Sequence, residues 1–213
     1  DAGRVVHMEK DGYEADDLLG TLAKRAHDAG WEVVIVTSDR DAFQLIRPGV
    51  SVMVFKKGVT ETVLMDEMAL KEQYSLTPQQ FLEYKIMRGD PSDNIPGIRG
   101  IGEKGAVELL QNYEDLERIY KAAHDAKSAM KSGVREKLLA AESEIPHLRM
   151  LVTIVVDVPI TWKPSPSPLT DIDQMSVRRF LIEYGFKTLL TRIPGASQAR
   201  QTSSTTDGPI MRN

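Results

Sequence analysis

The sequence predicts an α/β domain built on a parallel sheet, followed by a helical region. Three observations carry this. A helical period, a short loop and a β-branched run succeed one another between Glu14 and Thr37, which is the rhythm of a parallel sheet. From Asp66 onward, helical patterns replace strand patterns. Within that second part, residues 89–105 are crowded with Gly, Pro, Asp and Asn, a loop composition.

The elements follow in order. Val5-Val6-His7-Met8 reads as a short strand. Glu14 to Asp28 is a helix with Leu18, Leu19, Leu22, Ala23 and Ala26 on one stripe, and Gly30 suits the left-handed stop after it. Glu32 to Thr37 reads as a strand covered on both faces. Val50 to Phe55 and Val59 to Leu64 flank Lys56-Lys57-Gly58 as a hairpin. Asp66 to Tyr74 is a helix. Thr77 and Pro78 supply an N-cap and a first-turn proline for a helix ending at Arg88. Ala106, Val107, Leu109 and Leu110 start another, and Leu138, Leu139, Leu148, Leu151 and Val152 are expected in the core. Lys163 to Pro168 is a stiff loop. Asp173 to Tyr184 is a last amphipathic helix with Met175, Phe180 and Leu181 apolar. The Ser/Thr-rich tail from Ser197 has no periodicity, which predicts disorder.

Composition narrows the function. With 41% hydrophobic and 27% charged residues, wholesale disorder is excluded. The 213 residues suffice for one sizeable domain, or one with a helical annex. Lys and Arg total 27 against 31 Asp and Glu, a net charge of −4, so any DNA binding must rest on a local surface. Cysteine is absent, which removes disulfides, thiol nucleophiles and Cys-zinc sites and points to a reducing compartment. The longest apolar run, Val33 to Val36, is far short of the roughly 20 residues that span a bilayer, so no membrane partner is expected. The opening Asp1, Gly3 and Arg4 offer no apolar leader. A start at Asp predicts a fragment, a processed chain or an incomplete record.

Three acidic clusters stand out: Glu14, Asp16 and Asp17 at a helix start, Asp39 and Asp41 just past the strongest strand, and Asp90 and Asp93 in the Gly/Pro-rich loop. Each has an ordinary explanation alone. Acids complement the positive end of a helix, and Asp beside Pro or Gly is a turn residue. Together they read differently. Two like charges at ~4 Å repel by roughly 4 kcal/mol at an effective dielectric of ~20. Converging carboxylates therefore need cations, and hard oxygen donors suit Mg²⁺ or Mn²⁺. Two such ions side by side make a phosphodiester-hydrolysis site.

Ile95 to Gly105 precedes a helix. Gly100 and Gly102 permit a tight turn with exposed N–H groups, and the helix N-terminus adds partial positive charge, a grip for phosphate that reads no base. Arg99 and Lys104 add direct charge, while Ile95, Ile98 and Ile101 give the loop its own small core. No strong basic stripe follows. The histidines at 7, 27, 124 and 147 show no ligand spacing.

The ordered segments Glu14 to Gly20, Val34 to Asp41, Gly89 to Gly97 and Gly100 to Lys104 resemble the 5′–3′ exonuclease domain of bacterial DNA polymerase I and its flap-endonuclease relatives. The resemblance, from about Tyr13 to about Ile193, implies a PIN-like (resolvase-like) parallel-sheet nuclease core. It implies a following helix–three-turn–helix (SAM-like) DNA-binding region. The expected division is residues 1–75 for the core, 76–194 for the helical domain and 195–213 for a tail. The implied activity is metal-dependent cleavage of 5′ flaps and of nicked or gapped duplex DNA, with RNA:DNA as a further substrate, in primer removal and nick processing. Glu14, Asp16 and Asp17 would serve one metal; Asp39, Asp41 and Asp93, with Asp90 nearby, the second. The cofactors implied are two Mg²⁺ (or Mn²⁺) and K⁺ at the hairpin. Gly97, Arg99, Gly100, Ile101, Gly102, Lys104 and Gly105 would hold the duplex, although Gly105 stands where relatives often carry a hydroxyl residue. The family's first strand with its metal-binding Asp, and its helical arch, have no counterpart in this sequence. The competing expectation is therefore a catalytically incomplete module that binds DNA through the hairpin alone. The chain is expected as a monomer or part of a larger polymerase, in the bacterial cytoplasm at the nucleoid, or in an organelle if eukaryotic.

Overall fold

The computed structural model describes residues 6–58, 61–165 and 173–193. Of the expectations above, Val5, Val59, Pro166 to Pro168 and the tail from residue 195 lie outside these residues. The described residues divide into two units, Glu9–Pro164 and a second that includes residues 173–193.

The first unit carries, in order, α1 (Ala15–Asp28), β1 (Val33–Val36), a 3-10 helix (Arg40–Leu45), β2 (Val50–Lys57), β3 (Glu61–Met65), α2 (Glu67–Tyr74) and α3 (Pro78–Arg88), then α4 (Glu103–Tyr113), α5 (Leu116–His124), α6 (Ser132–Ala141) and α7 (Ile145–Val152). The capping signals act as read. Thr77 Oγ1 accepts from the Gln80 N–H at 3.2 Å while Gln80 Oε1 accepts from the Thr77 N–H at 3.1 Å, a closed box at the start of α3. Gly30, at φ +84, follows α1.

The sheet has the order β1-β2-β3. β1 runs parallel to β2, with Ile35 beside Val52, and β2 runs antiparallel to β3, with Val52 beside Met65. The hairpin expectation holds, and the parallel arrangement is confined to one pair among the described strands. Ile35, Val50, Val52 and Met65 point into the core, whereas Val34, Val36, Phe55 and Leu64 are exposed. β1 is therefore covered on one face, not two: alternate side chains point to opposite faces, and an all-apolar run conceals which face is open.

Two further expectations are corrected. Val6 to Met8 form no strand. Leu139 and Leu151 are exposed beside buried Leu138 and Val152, because helical neighbours lie about 100° apart and cannot both face one core.

An aromatic seam joins the strand-bearing part to the helices. Phe43 lies 5.3 Å from Phe81 and 5.9 Å from Tyr74, and Tyr74 lies 5.3 Å from Phe81, ring centre to ring centre. Such pairs contribute about 0.5–1.5 kcal/mol each beyond their burial. A second join uses Asp17, Thr21 and Arg25, spaced by four on one face of α1. Asp17 Oδ1 accepts from the Val155 N–H at 2.8 Å, Thr21 Oγ1 from the Val158 N–H at 3.0 Å, and Arg25 donates to the Ile160 carbonyl at 2.6 Å. The chain after α7 is thereby fastened along α1.

In the second unit, α8 (Gln174–Glu183) is capped by Asp173, whose Oδ1 accepts from the Met175 and Ser176 N–H groups at 3.1 Å. Leu181 is buried, while Met175 and Phe180, expected on the apolar side, are exposed. A 3-10 turn, Lys187–Arg192, follows.

Candidate metal centre

β1 ends at Val36, and the chain leaves it through Thr37, Ser38 and Asp39. The Asp39 N–H donates to Thr37 Oγ1 at 3.0 Å, and Asp39 Oδ1 accepts from the Asp41 N–H at 2.9 Å. Asp39 thus caps the 3-10 helix that carries Asp41. The turn also aims the Asp41 side chain at α3.

α3 ends at Gly89, and its loop folds back on itself. Asp90 and Ile95 exchange two backbone hydrogen bonds, of 2.9 and 2.8 Å. Ile98 N–H donates to the Met87 carbonyl at 2.8 Å. Asp90 Oδ1 accepts from the Ser92 N–H at 2.9 Å and from the Ser92 hydroxyl. This closed loop places Asp90 and Asp93 against Asp41: one oxygen from each of the three carboxylates lies within 4.8 Å of the others.

Lys85 completes the group. Its side chain is 7% exposed, and its ammonium meets both Asp41 Oδ1 and Asp90 Oδ2. Asp41 Oδ1 is itself buried, and the Lys85 ammonium is the cation against it. Burial pushes the Asp41 carboxyl above its usual range, Lys85 opposes this, and Asp39 and Asp90 add to it. The Lys85 ammonium, with Ser92 assisting, holds Asp90 below the usual range. Burial alone would lower the pKa of Lys85; Asp41 and Asp90 outweigh it and raise it.

The helix-start cluster divides. Asp16 is raised by burial and then by the negative charges of Asp39 and Asp41, ahead of Glu14 and Asp17. Its side chain therefore shares the field of the other carboxylates. Asp17 is engaged elsewhere: Oδ2 accepts from the Glu14 N–H at 3.1 Å and Oδ1 from the Val155 N–H. Glu14 is exposed at the N-cap.

A cleft of about 400 Å³ opens beside Asp39 and Asp90, with Arg40 and Arg88 among its cationic residues. A cleft of similar size, about 410 Å³, runs past Arg47 and Met68 at the other end of β1, away from these carboxylates.

The glycine-rich hairpin has the small core expected of it, since Ile95, Ile98 and Ile101 are buried. Gly100 takes φ +82, and Gly102, at φ −95, caps α4 with open space where a Cβ would stand. Gly105 also has room, with Ile101 at 3.9 Å. Arg99 and Lys104 are exposed. Gly97 instead packs against Gly89. Lys137 of α6 donates to the Gly100 carbonyl at 3.0 Å.

The sequence reading missed Lys85, Arg40, Arg88 and Lys137. A signal for Lys85 existed: it falls four residues after Phe81 on the buried side of α3, where an unpaired lysine is not tolerated.

Residues 1–75 match the family model for the 5′-3′ exonuclease N-terminal resolvase-like domain, and residues 76–175 match that for the 5′-3′ exonuclease C-terminal SAM fold. The chain is 37% identical over 189 residues to DNA polymerase I of Mycobacterium tuberculosis, covering 89% of this chain and 20% of that protein. It is 35% identical over 208 residues to DNA polymerase I of Bacillus subtilis, covering 97% and 23%. The chain thus spans about a fifth of the length of these relatives. Among solved structures, it resembles T5 5′-exonuclease with divalent zinc bound, with a TM-score of 0.59, 21% identity and coverage of 87% of this chain and 62% of that one. The catalytic core of Rad2 in complex with DNA substrate gives a TM-score of 0.53 at 16% identity, covering 87% and 60%. The fold is the resolvase-like α/β core with a SAM-type helical domain.

Proposed function

The chain belongs to the 5′–3′ exonuclease family, and from that premise we propose that it is the part of a metal-dependent 5′–3′ exonuclease and flap endonuclease that hydrolyses DNA phosphodiesters. The observation that carries the proposal is the meeting of Asp41, from the turn after β1, with Asp90 and Asp93, from the loop after α3. Their donor set, three carboxylates of which Asp41 and Asp90 are half-buried and Asp93 exposed, fits a hard divalent ion, Mg²⁺ or Mn²⁺. Asp41, Asp90 and Asp93 would hold one ion; Asp16 and Asp39, coupled through their charges, are the proposed ligands of a second, with Glu14 beside them. Asp17 is assigned to fastening α1.

A divalent ion bound there would neutralise phosphate charge and lower the pKa of the attacking water. The protein's own groups do the rest. Arg40 and Arg88 at the cleft attract the phosphodiester and orient it towards the carboxylates. The first N–H groups of α4, with Arg99 and Lys104, hold the duplex backbone through phosphates and leave the bases unread. Gly100, Ile101, Gly102 and Gly105 keep that surface low enough for close approach. The products are a 5′-phosphate and a 3′-hydroxyl. The proposed substrates are 5′-flap, nicked and gapped duplexes, and RNA:DNA. K⁺ at the hairpin is proposed as well, where it would share the Gly100 carbonyl with Lys137.

The engagement of Asp17 and the exposure of Glu14 favour one second reading, a module that binds DNA through the hairpin without cleaving it. Incubation of the chain with a 5′-flap duplex across a Mg²⁺ and Mn²⁺ titration tests both. Metal-dependent release of a 5′ fragment supports the nuclease. Flap binding without cleavage at any metal concentration would leave the binding module.

A further inference from the structure

Lys85 is buried on α3, in a stretch where Phe81, Tyr84, Ile86 and Met87 are buried with it. A buried ammonium is strongly disfavoured unless it is paired. Its partners are the two carboxylates delivered by separate segments: Asp41, after β1, and Asp90, after α3. Asp93, exposed, completes the three-oxygen group. Three carboxylates carry −3, and with Lys85 the sum is −3 + 1 = −2, the complement of one divalent ion. Without an internal cation, Asp41 and Asp90 would repel each other in the metal-free protein. A side chain serving only to fill space would need the aliphatic stem and no charge.

We propose that Lys85 is a positioning residue of the carboxylate centre: its ammonium is a resident cation that gathers Asp41 and Asp90 before a divalent ion arrives and sets the remaining charge to that of a single ion. The inference rests on the metal-dependent reading above. It assigns Lys85 no contact with substrate. A resident cation preassembles the site and weakens the hold on the metal, so that the ion exchanges readily.

The test is Mn²⁺ binding by calorimetry, together with thermal unfolding in EDTA and in Mn²⁺, on the wild-type chain, Lys85→Met and Lys85→Arg. Lys85→Met keeps the stem and removes the charge. It is expected to unfold at a lower temperature in EDTA and to bind Mn²⁺ about tenfold more tightly or better. Its unfolding temperature rises more on adding Mn²⁺ than that of the wild type, as linkage requires. Lys85→Arg restores both quantities towards wild type. A packing role alone would lower the unfolding temperature of Lys85→Met and leave its Mn²⁺ affinity unchanged; that result, or weaker binding, overturns the proposal. No Mn²⁺ binding by the wild type overturns the metal reading itself, and this inference with it. If Lys85→Met does not fold, Asp90→Asn is compared with the double variant Lys85→Met/Asp90→Asn, in which no charge pair is left broken at Asp90. Tighter Mn²⁺ binding by the double variant supports the resident cation, and equal binding overturns it.

Discussion

The backbones of Gly89 and Gly97 lie against each other so closely that neither position has room for a side chain. A Cβ on Gly89 would stand 2.6 Å from the Gly97 nitrogen, and a Cβ on Gly97 would stand 2.4 Å from the Gly89 nitrogen. Both residues have positive φ, +76 and +62. Between them lie Asp90 and Asp93. This crossing closes the loop that brings the two carboxylates to Asp41, so the proposed chemistry depends on two residues that carry no functional group.

Gly97→Ala is accordingly expected to destabilise the protein by about 2–5 kcal/mol, from backbone strain and a clash with main-chain atoms that cannot move aside. Urea unfolding measures this. Mn²⁺ affinity should fall with it, because Asp90 and Asp93 lose their placement.

Asp41→Asn should lower metal-dependent flap cleavage by about a hundredfold or more, equivalent to about 2.7 kcal/mol of barrier. Affinity for flap DNA in EDTA should stay close to wild type, because the hairpin is untouched. Asp39→Asn should do the same while the fold persists, since an amide oxygen still caps the Asp41 N–H. Normal turnover by either variant removes that residue from the site.

Gly102→Val separates binding from cleavage chemistry. Its Cβ meets nothing within 4 Å and its φ is negative, so stability should fall by about 1 kcal/mol at most, through the poorer N-cap. Affinity for duplex DNA should fall about tenfold, as the side chain holds phosphate away from the α4 N–H groups. Mn²⁺ binding should be unchanged. Fluorescence anisotropy with a labelled flap reads the first effect and calorimetry the second.

Glu83 supplies a test by pH. Its Oε2 accepts from the Leu116 N–H at 2.9 Å, and burial raises its carboxyl above the ordinary value of 4.5. The folded state therefore holds the proton more firmly than the unfolded chain. Glu83 favours folding fully below pH 4.5, and that contribution is lost as pH rises through the raised value. Glu83→Gln keeps an acceptor for Leu116 and does not titrate. It loses only a long contact of 3.9 Å with half-exposed Arg149. The variant should gain on wild type in unfolding free energy as pH rises from 4 to 7. A difference that does not change with pH would show that Glu83 does not titrate as described.

Much of this architecture was legible because it follows local rules. Thr77, Pro78 and Gln80 specify the start of α3, and the isoleucines at 95, 98 and 101 announce a loop with its own core. Asp39 and Asp41 could be chosen from their place past a strand end. What the sequence concealed depends on distant partners. Nothing local distinguishes Asp16, whose carboxyl feels the charges of Asp39 and Asp41, from Asp17, which fastens the chain near Val155. About 100° of rotation around the helix separates them, and the deciding contact lies 138 residues away. The resemblance places Gly97 at the duplex, but its close neighbour is Gly89, which only the closed loop reveals. The open face of β1 was hidden for the opposite reason: Val33 to Val36 is apolar throughout, so the pattern carries no information about sides.

The central claim is that carboxylates from separate segments form one divalent-ion site. Calorimetric titration with Mn²⁺, comparing the wild-type chain with Asp93→Asn, tests it most directly, because Asp93 is exposed and its loss should leave the fold intact. The account predicts Mn²⁺ binding by the wild type and a loss of about tenfold or more in affinity in the variant. Equal affinity in the two proteins, or no binding by the wild type, would contradict it.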